Sequence, residues 1–258
     1  MCYIIRTYRV LPTSKPGRVV NSSLGAYKIA CPAETTTLGD SAMDFELARR
    51  KMVASQLRPN EVNDPAVIAA MGSIPREKFL KAAQRQFAYV DEDLAIGGGR
   101  VIMEPLVLAR LLQLADTQPT DSAMVVAAGA GYSTAVLARL TSSVVGVESD
   151  AEFAVQAGRT LAELGVDNAA IVAGPVTAGA PSQGPFDVIL INGAVDEVPE
   201  ALRQQLADGG RLVCVLRQGP VGRGTLITRA GQAFGTRQEF DAATAVLPGF
   251  ERVPGFIF

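Results

Sequence analysis

Val125-Val126-Ala127-Ala128-Gly129-Ala130-Gly131-Tyr132 ends a short apolar run and opens a stretch with helical spacing; nineteen residues past Gly129 stands Glu148. Residues 123–127 read as a strand, 133–140 as a helix and 144–147 as a second strand closing on Glu148. Glycine at such a turn lets a ligand approach the backbone closely. An acid about 20 residues beyond, at the end of the next strand, can take the two hydroxyls of a ribose. A Gly-x-Gly alone is also what a plain tight turn looks like; the strand-end acid tips the reading toward a nucleoside.

The same alternation continues toward the carboxyl end. Residues 151–164 have helical spacing and Gly165 closes them. Residues 169–172 form a third short apolar run, and 187–191 a fourth with no polar residue after Asp187, as a central parallel strand requires. Residues 199–206 read as helix, Gly209-Gly210 as a turn and 211–216 as a fifth strand. Strands alternating with helices of this length give βαβ units, hence a doubly wound, mostly parallel α/β sheet. Asn192 and Gly193 fall at the carboxyl end of a central strand, where open sheets gather their ligands.

Toward the amino end, residues 44–57 place Leu47, Met52 or Val53, and Leu57 at helical spacing, and Arg58-Pro59-Asn60 stops them. Asp64-Pro65 has the form of an N-cap followed by proline in the first turn. A short helix follows Pro75, residues 91–99 read as a loop with three glycines in a row, and residues 105–115 are helical again. That glycine loop is either plain surface or a lid over a substrate. Residues 1–42 are set apart: they are basic, have no acid before Glu34 and show no sustained period. They read as an unstructured leader, either an organelle transit peptide or a stretch preceding a true start at Met43, and the folded domain is expected over 43–258. Residues 234–258 hold Phe234, Phe240, Val246, Leu247, Phe250 and Phe256-Ile257-Phe258, an apolar tail expected to cover a sheet edge or form a subunit contact.

Composition narrows the chemistry. The chain has no histidine, which removes Ser-His-Asp and Cys-His nucleophile systems and histidine-bearing zinc sites. Cys2, Cys31 and Cys214 have no metal or redox spacing and suit a reducing, cytoplasmic setting. A net charge of −2 without a basic block speaks against nucleic acid as the main partner, and no apolar run is long enough for a membrane helix.

Several stretches, taken in order, make the chain resemble the protein-L-isoaspartate O-methyltransferase family. They are the helix ending at Leu57, Val67-Ile68 with Met71, Pro75-Arg76-Glu77-Lys78-Phe79, Tyr89, Asp93-Leu94 and Ile96-Gly97. Beyond these come Ile102 to Pro105, Gly129-Ala130-Gly131-Tyr132, Val147-Glu148, Pro185-Phe186-Asp187, Pro199, and Gln205-Leu206 with Gly209-Gly210. The resemblance covers residues 43–216 and implies a fold of the S-adenosylmethionine-dependent methyltransferase type with an amino-terminal helical extension. It implies S-adenosylmethionine as cofactor and methyl transfer to isoaspartyl carboxylates in damaged proteins or peptides. It further implies a cofactor site at Ala127, Gly129, Gly131, Tyr132, Glu148 and Asn192, and a substrate loop at Ile102, Met103, Glu104 and Pro105.

Such a transfer suits a chain without histidine. The sulfonium is an activated electrophile and a carboxylate is already a nucleophile, so the protein has to position them and exclude water. The sequence also departs from the family pattern. Val101 and Met103 replace the loop's two hydroxyl residues, and Glu104 adds a negative charge. Val125 and Ala127 replace an acid and a glycine. Gly174-Pro175-Val176 replaces a Gly-Asp-Gly whose acid faces the adenine. Arg100 could swing in to supply the lost donors. A changed acceptor, and a non-catalytic binding module on the same fold, are the alternatives these departures leave open.

Overall fold

In a computed structural model, residues 43–219 and 221–252 are described. The leader 1–42 and the end of the apolar tail, including Phe256-Ile257-Phe258, lie outside them.

The amino-terminal helices start where short acids satisfy free amides. In α1 (Phe45–Met52), Asp44 accepts from the Leu47 amide at 2.9 Å. The helix widens into a π-turn over Val53–Leu57. It buries Met52 and Leu57 but leaves Leu47 40% exposed, so the expected apolar stripe is narrower at its start. In α2 (Pro65–Ser73), Asp64 accepts from Ala66 and Val67, with Pro65 in the first turn. Two 3-10 turns follow, Arg76–Phe79 and Ala82–Phe87.

The stretch expected to be a glycine loop is instead a hairpin: β1 (Leu94–Gly97) pairs antiparallel with β2 (Arg100–Ile102). Gly98 and Gly99 make its turn with φ of 58° and 68°, the positive-φ pair that such two-residue connections demand. This hairpin is a two-stranded sheet separate from the main one. α3 (Pro105–Leu114) follows and buries Val107, Leu108, Leu111 and Leu112.

The main sheet comprises β3 (Ser122–Val126), β4 (Ser143–Glu148), β5 (Ala169–Ala173), β6 (Phe186–Val195), β7 (Leu206–Arg217), β8 (Gly222–Ala230) and β9 (Ala233–Ala242). Its order is β5-β4-β3-β6-β7-β8-β9, parallel through β7 and antiparallel thereafter. α4 (Tyr132–Ala138), α5 (Ala151–Glu163) and the short α6 (Glu200–Arg203) cross from β3 to β4, β4 to β5 and β6 to β7, while β5 reaches β6 through turns. Val188, Ile189, Leu190 and Ile191 are buried, as their apolar run requires.

Several boundaries differ from the sequence expectation. The helix of 199–206 is confined to α6, because the chain pairs with Phe186 from Leu206 onward. Gly209-Gly210 lies within β7 at a register irregularity, with Gly209 at φ 77°. The apolar tail supplies the edge strand β9 and then buries Leu247 and Phe250, while Phe234 is only partly covered.

Candidate functional site

The sheet reverses its winding at β3, whose neighbours are β4 and β6. Ligands of open α/β sheets bind at the carboxyl edge of such a switch point. Register carries the sequence candidates there together. Val126 pairs with Val147 on one side and with Ile191 on the other. One residue further along each strand stand Ala127, Glu148 and Asn192, in a single row.

The turn after β3 is built from left-handed residues. Ala127, Gly129 and Gly131 have φ of 59°, 54° and 95°. A side chain at Gly131 would put its Cβ 3.0 Å from the Cβ of Ala157, so α4 can start this close to α5 only from glycine. Ala127 bears a methyl where the left-handed region costs an L-residue about 1–2 kcal/mol. Asn192 ties the turn to β6: its Nδ2 donates to the Ala127 carbonyl at 3.0 Å. The Tyr132 ring is buried among the helices, edge-on to Phe79 at 5.5 Å and under the Arg76 guanidinium at 4.9 Å. What Tyr132 presents to the turn is therefore its backbone, at the start of α4.

Glu148 is fully buried and saturated with donors. The Gly129 amide donates to Oε2 at 2.8 Å and the Asp150 amide to Oε1 at 3.0 Å. Arg100 adds Nη2 to Oε1 at 2.9 Å and Nε to Oε2 at 3.1 Å, and its Nη2 also donates to Ser149 Oγ at 2.8 Å. Burial pushes the Glu148 carboxyl upward, but the Arg100 pair and the two amides outweigh it and hold the pKa below the ordinary carboxylate range. Arg100 therefore swings not toward an acceptor but onto Glu148. Nothing local in the sequence announces that pairing, since the two residues are 48 apart.

The substrate loop is held from beneath. Arg76 is fully buried and donates from Nη2 to the carbonyls of Met103 at 2.7 Å and Ile102 at 3.3 Å, and from Nε to that of Ala88 at 2.7 Å. Asp93 Oδ1 accepts from the Glu104 amide at 2.8 Å, and its Oδ2 is bonded to the Thr244 hydroxyl. Sequence reading had no signal for Arg76 as the anchor beyond its place in the Pro75–Phe79 motif. Ile102 and Met103 are buried, Glu104 is partly so, and Pro105 begins α3. Burial, then the carboxylates of Asp91 and Asp93, push the Glu104 pKa up to about 7. Beside this loop lies a cavity of about 570 Å³, lined by Asp93, Ala95, Val101, Ala194, Arg217 and Thr244 among others.

Among the described residues no group of histidine, cysteine, aspartate and glutamate is placed to hold a metal, and no helix is long and apolar enough to cross a membrane. Cys214 is buried, its thiol pushed up to about 12 by desolvation.

A family model described as protein-L-isoaspartate(D-aspartate) O-methyltransferase matches residues 48–233. A protein-L-isoaspartate O-methyltransferase of Koribacter versatilis is 41% identical over 169 residues, 66% of this chain and 76% of that protein. One of Anaeromyxobacter, numbered 2, is 37% identical over 204 residues, covering 79% and 83%. Among solved structures, a protein-L-isoaspartate O-methyltransferase superposes with a TM-score of 0.69 at 26% identity, over 78% of this chain and 66% of its own. A candidate enzyme of the same name from Plasmodium falciparum, in complex with S-adenosyl-L-homocysteine, shares the fold with a TM-score of 0.64 at 21% identity, covering 77% and 97%.

Proposed function

The chain belongs to the protein-L-isoaspartate(D-aspartate) O-methyltransferase family, and from that premise we propose how its own residues serve the reaction. The fold is that of S-adenosylmethionine-dependent methyltransferases, and the activity is O-methylation of isoaspartyl carboxylates. The cofactor's sulfonium supplies an activated methyl group.

The observation carrying the site assignment is the row Ala127, Glu148, Asn192 at the switch point, with Gly129 and Gly131 between strand and helix. These residues suit a nucleoside. Glu148 is a strand-end acceptor with two oxygens for a ribose diol, and the glycines leave the turn without side chains. Asn192 fixes the turn against β6. Tyr132 contributes through the amino end of α4, and its ring braces that end from the core. No side-chain acid faces the adenine edge at Pro175; backbone groups of the turn after β5 take that role. The Gly174 amide already donates to the Glu148 carbonyl at 2.9 Å, which fixes this turn beside the acid.

The acceptor docks in the cavity beside Val101, with isoaspartyl proteins and peptides as its class. A carboxylate entering it must exchange water for donors, because an unpaired buried anion is costly. Val101 and Met103 donate nothing from their side chains. Arg217 brings a guanidinium to the cavity wall, although Asp196 holds it through bonds of 2.7 and 3.1 Å. The loop geometry is kept by Arg76, a positioning residue acting through the Ile102 and Met103 carbonyls.

Calorimetric titration of S-adenosylhomocysteine into the native protein and into Glu148→Ala tests the assignment. The native protein binds and the variant loses most of its affinity. Equal affinity of the two would move the cofactor away from Glu148.

A further inference from the structure

The hairpin β1–β2 lies across the very turn assigned to the cofactor. A Cβ built on Gly129 would meet Ile96 Cδ1 at 3.3 Å and Arg100 Cβ at 3.9 Å. The hairpin tip is wedged as well: a Cβ on Gly98 would stand 3.4 Å from the Phe153 ring, and one on Gly99 would collide with Pro248 at 2.5 Å. Arg100, with 4% of its side chain exposed, fills both carboxylate oxygens of Glu148. Those are the oxygens a ribose diol would use. Guanidinium on carboxylate is a two-point, charge-assisted pair, stronger than hydroxyl on carboxylate.

The hairpin is also built to move. Its strands pair with each other and not with the seven-stranded sheet, so lifting it breaks no ladder of the main sheet. Its two ends are fixed, at Asp93 by Thr244 and the Glu104 amide, and at Ile102 and Met103 by Arg76. Between these anchors, Gly97, Gly98 and Gly99 all have positive φ, a backbone conformation that glycine takes without strain.

We propose that β1–β2 is a lid whose closed form is locked by Arg100 standing on Glu148 in place of the ribose, so that Arg100 and the cofactor compete for one carboxylate. The proposal rests on the assignment of Glu148 to the cofactor. Its consequence is arithmetic: when only a fraction of molecules has the lid lifted, the apparent dissociation constant is the intrinsic one divided by that fraction. Removing the lock raises the fraction and tightens binding.

The test uses the full-length protein with S-adenosylhomocysteine as probe, read by calorimetry and by amide hydrogen exchange. Arg100→Ala is expected to bind at least about tenfold more tightly than the native chain, the equivalent of 1.4 kcal/mol of lost competition. Arg100→Lys, which keeps a cation but not the fork, is expected to gain less. In the native protein, saturation with the probe is expected to speed exchange of the amides of residues 95–101. That reading stands even where a variant folds poorly. Equal affinities for native and Arg100→Ala proteins, or hairpin amides that slow or stay unchanged at saturation, overturn the lid and leave the cofactor site in place. Absence of binding by both proteins overturns the cofactor assignment and the lid with it.

Discussion

Replacing Glu148 by glutamine changes one oxygen for one amide group and should cost far more stability than so small a change suggests. The carboxylate is fully buried and takes two bonds from Arg100, with the Gly129 and Asp150 amides completing its shell. In Glu148→Gln every partner is still a donor, while one of the two acceptors has become a donor itself. The Arg100 guanidinium, 4% exposed, keeps its charge without an anion. Breaking a buried pair from one side costs about 3–5 kcal/mol. At about 2–4 °C per kcal/mol for a domain of this size, the melting temperature should fall by roughly 6–20 °C. The assay is a double-mutant cycle in urea at neutral pH, with Glu148→Gln, Arg100→Gln and both together. The double variant should cost well under the sum of the singles, because each single strands the other's partner. The pH dependence has a defined sign. A carboxyl held below its ordinary pKa of 4.5 stabilises above that value and loses its contribution as pH falls through the depressed one. The gap between native and Glu148→Gln proteins should therefore be full at neutral pH and narrow in acid. A single-variant cost under about 1 kcal/mol, or additive costs in the cycle, would refute the buried pair.

Three further outcomes follow from other parts of the site. Glu104, pushed up to about 7, contributes stability that is complete below the ordinary pKa of 4.5 and lost as pH rises through 7. Glu104→Gln should therefore gain stability relative to the native chain between pH 5 and 8 in paired thermal melts, and a flat difference would count against it. Gly131→Ala meets Ala157 at 3.0 Å at a φ of 95°, and strain plus overpacking should cost roughly 2–4 kcal/mol by chemical denaturation, against no measurable loss if α4 and α5 can part freely. Val101 is the loop residue that lines the cavity while Met103 is buried in the core, so Val101→Thr alone should raise methyl incorporation into an isoaspartyl peptide by restoring a donor, and no gain despite intact cofactor binding would show that this side chain does not face the acceptor.

The parts of this molecule legible in its sequence are those set by local rules. Asp64-Pro65 caps a helix where a short acid precedes an apolar period. The apolar run 187–191 lies in the buried strand β6, and Glu148 ends β4 at the carboxyl edge. Glu148 and Asn192 are legible as strand-end residues, Ala127 only through the family resemblance, and parallel register is what aligns the three. The β1–β2 hairpin is not legible: three consecutive glycines look like loop, and the alternation of Leu94, Ile96 and Val101 is too short to show a period. The 222–242 hairpin has Gly231, with φ of 59°, at its turn, but no clear alternation marks its strands in the sequence. Two features lay beyond sequence reading in kind. Arg100 on Glu148 and Arg76 under Met103 join residues 48 and 27 apart, and only the packed fold decides which partner a long cation finds. The fold covers the glycine turn and Glu148 with the hairpin, a contact between distant segments that local sequence does not carry.

Transfer of a labelled methyl group from S-adenosylmethionine to paired synthetic peptides, one isoaspartyl and one with ordinary aspartate at the same position, tests the central claim most directly. The expected result is base-labile label in the isoaspartyl peptide alone, rising when Val101→Thr is introduced and lost in Glu148→Ala. No label in either peptide, from protein that binds the cofactor by calorimetry, would contradict it.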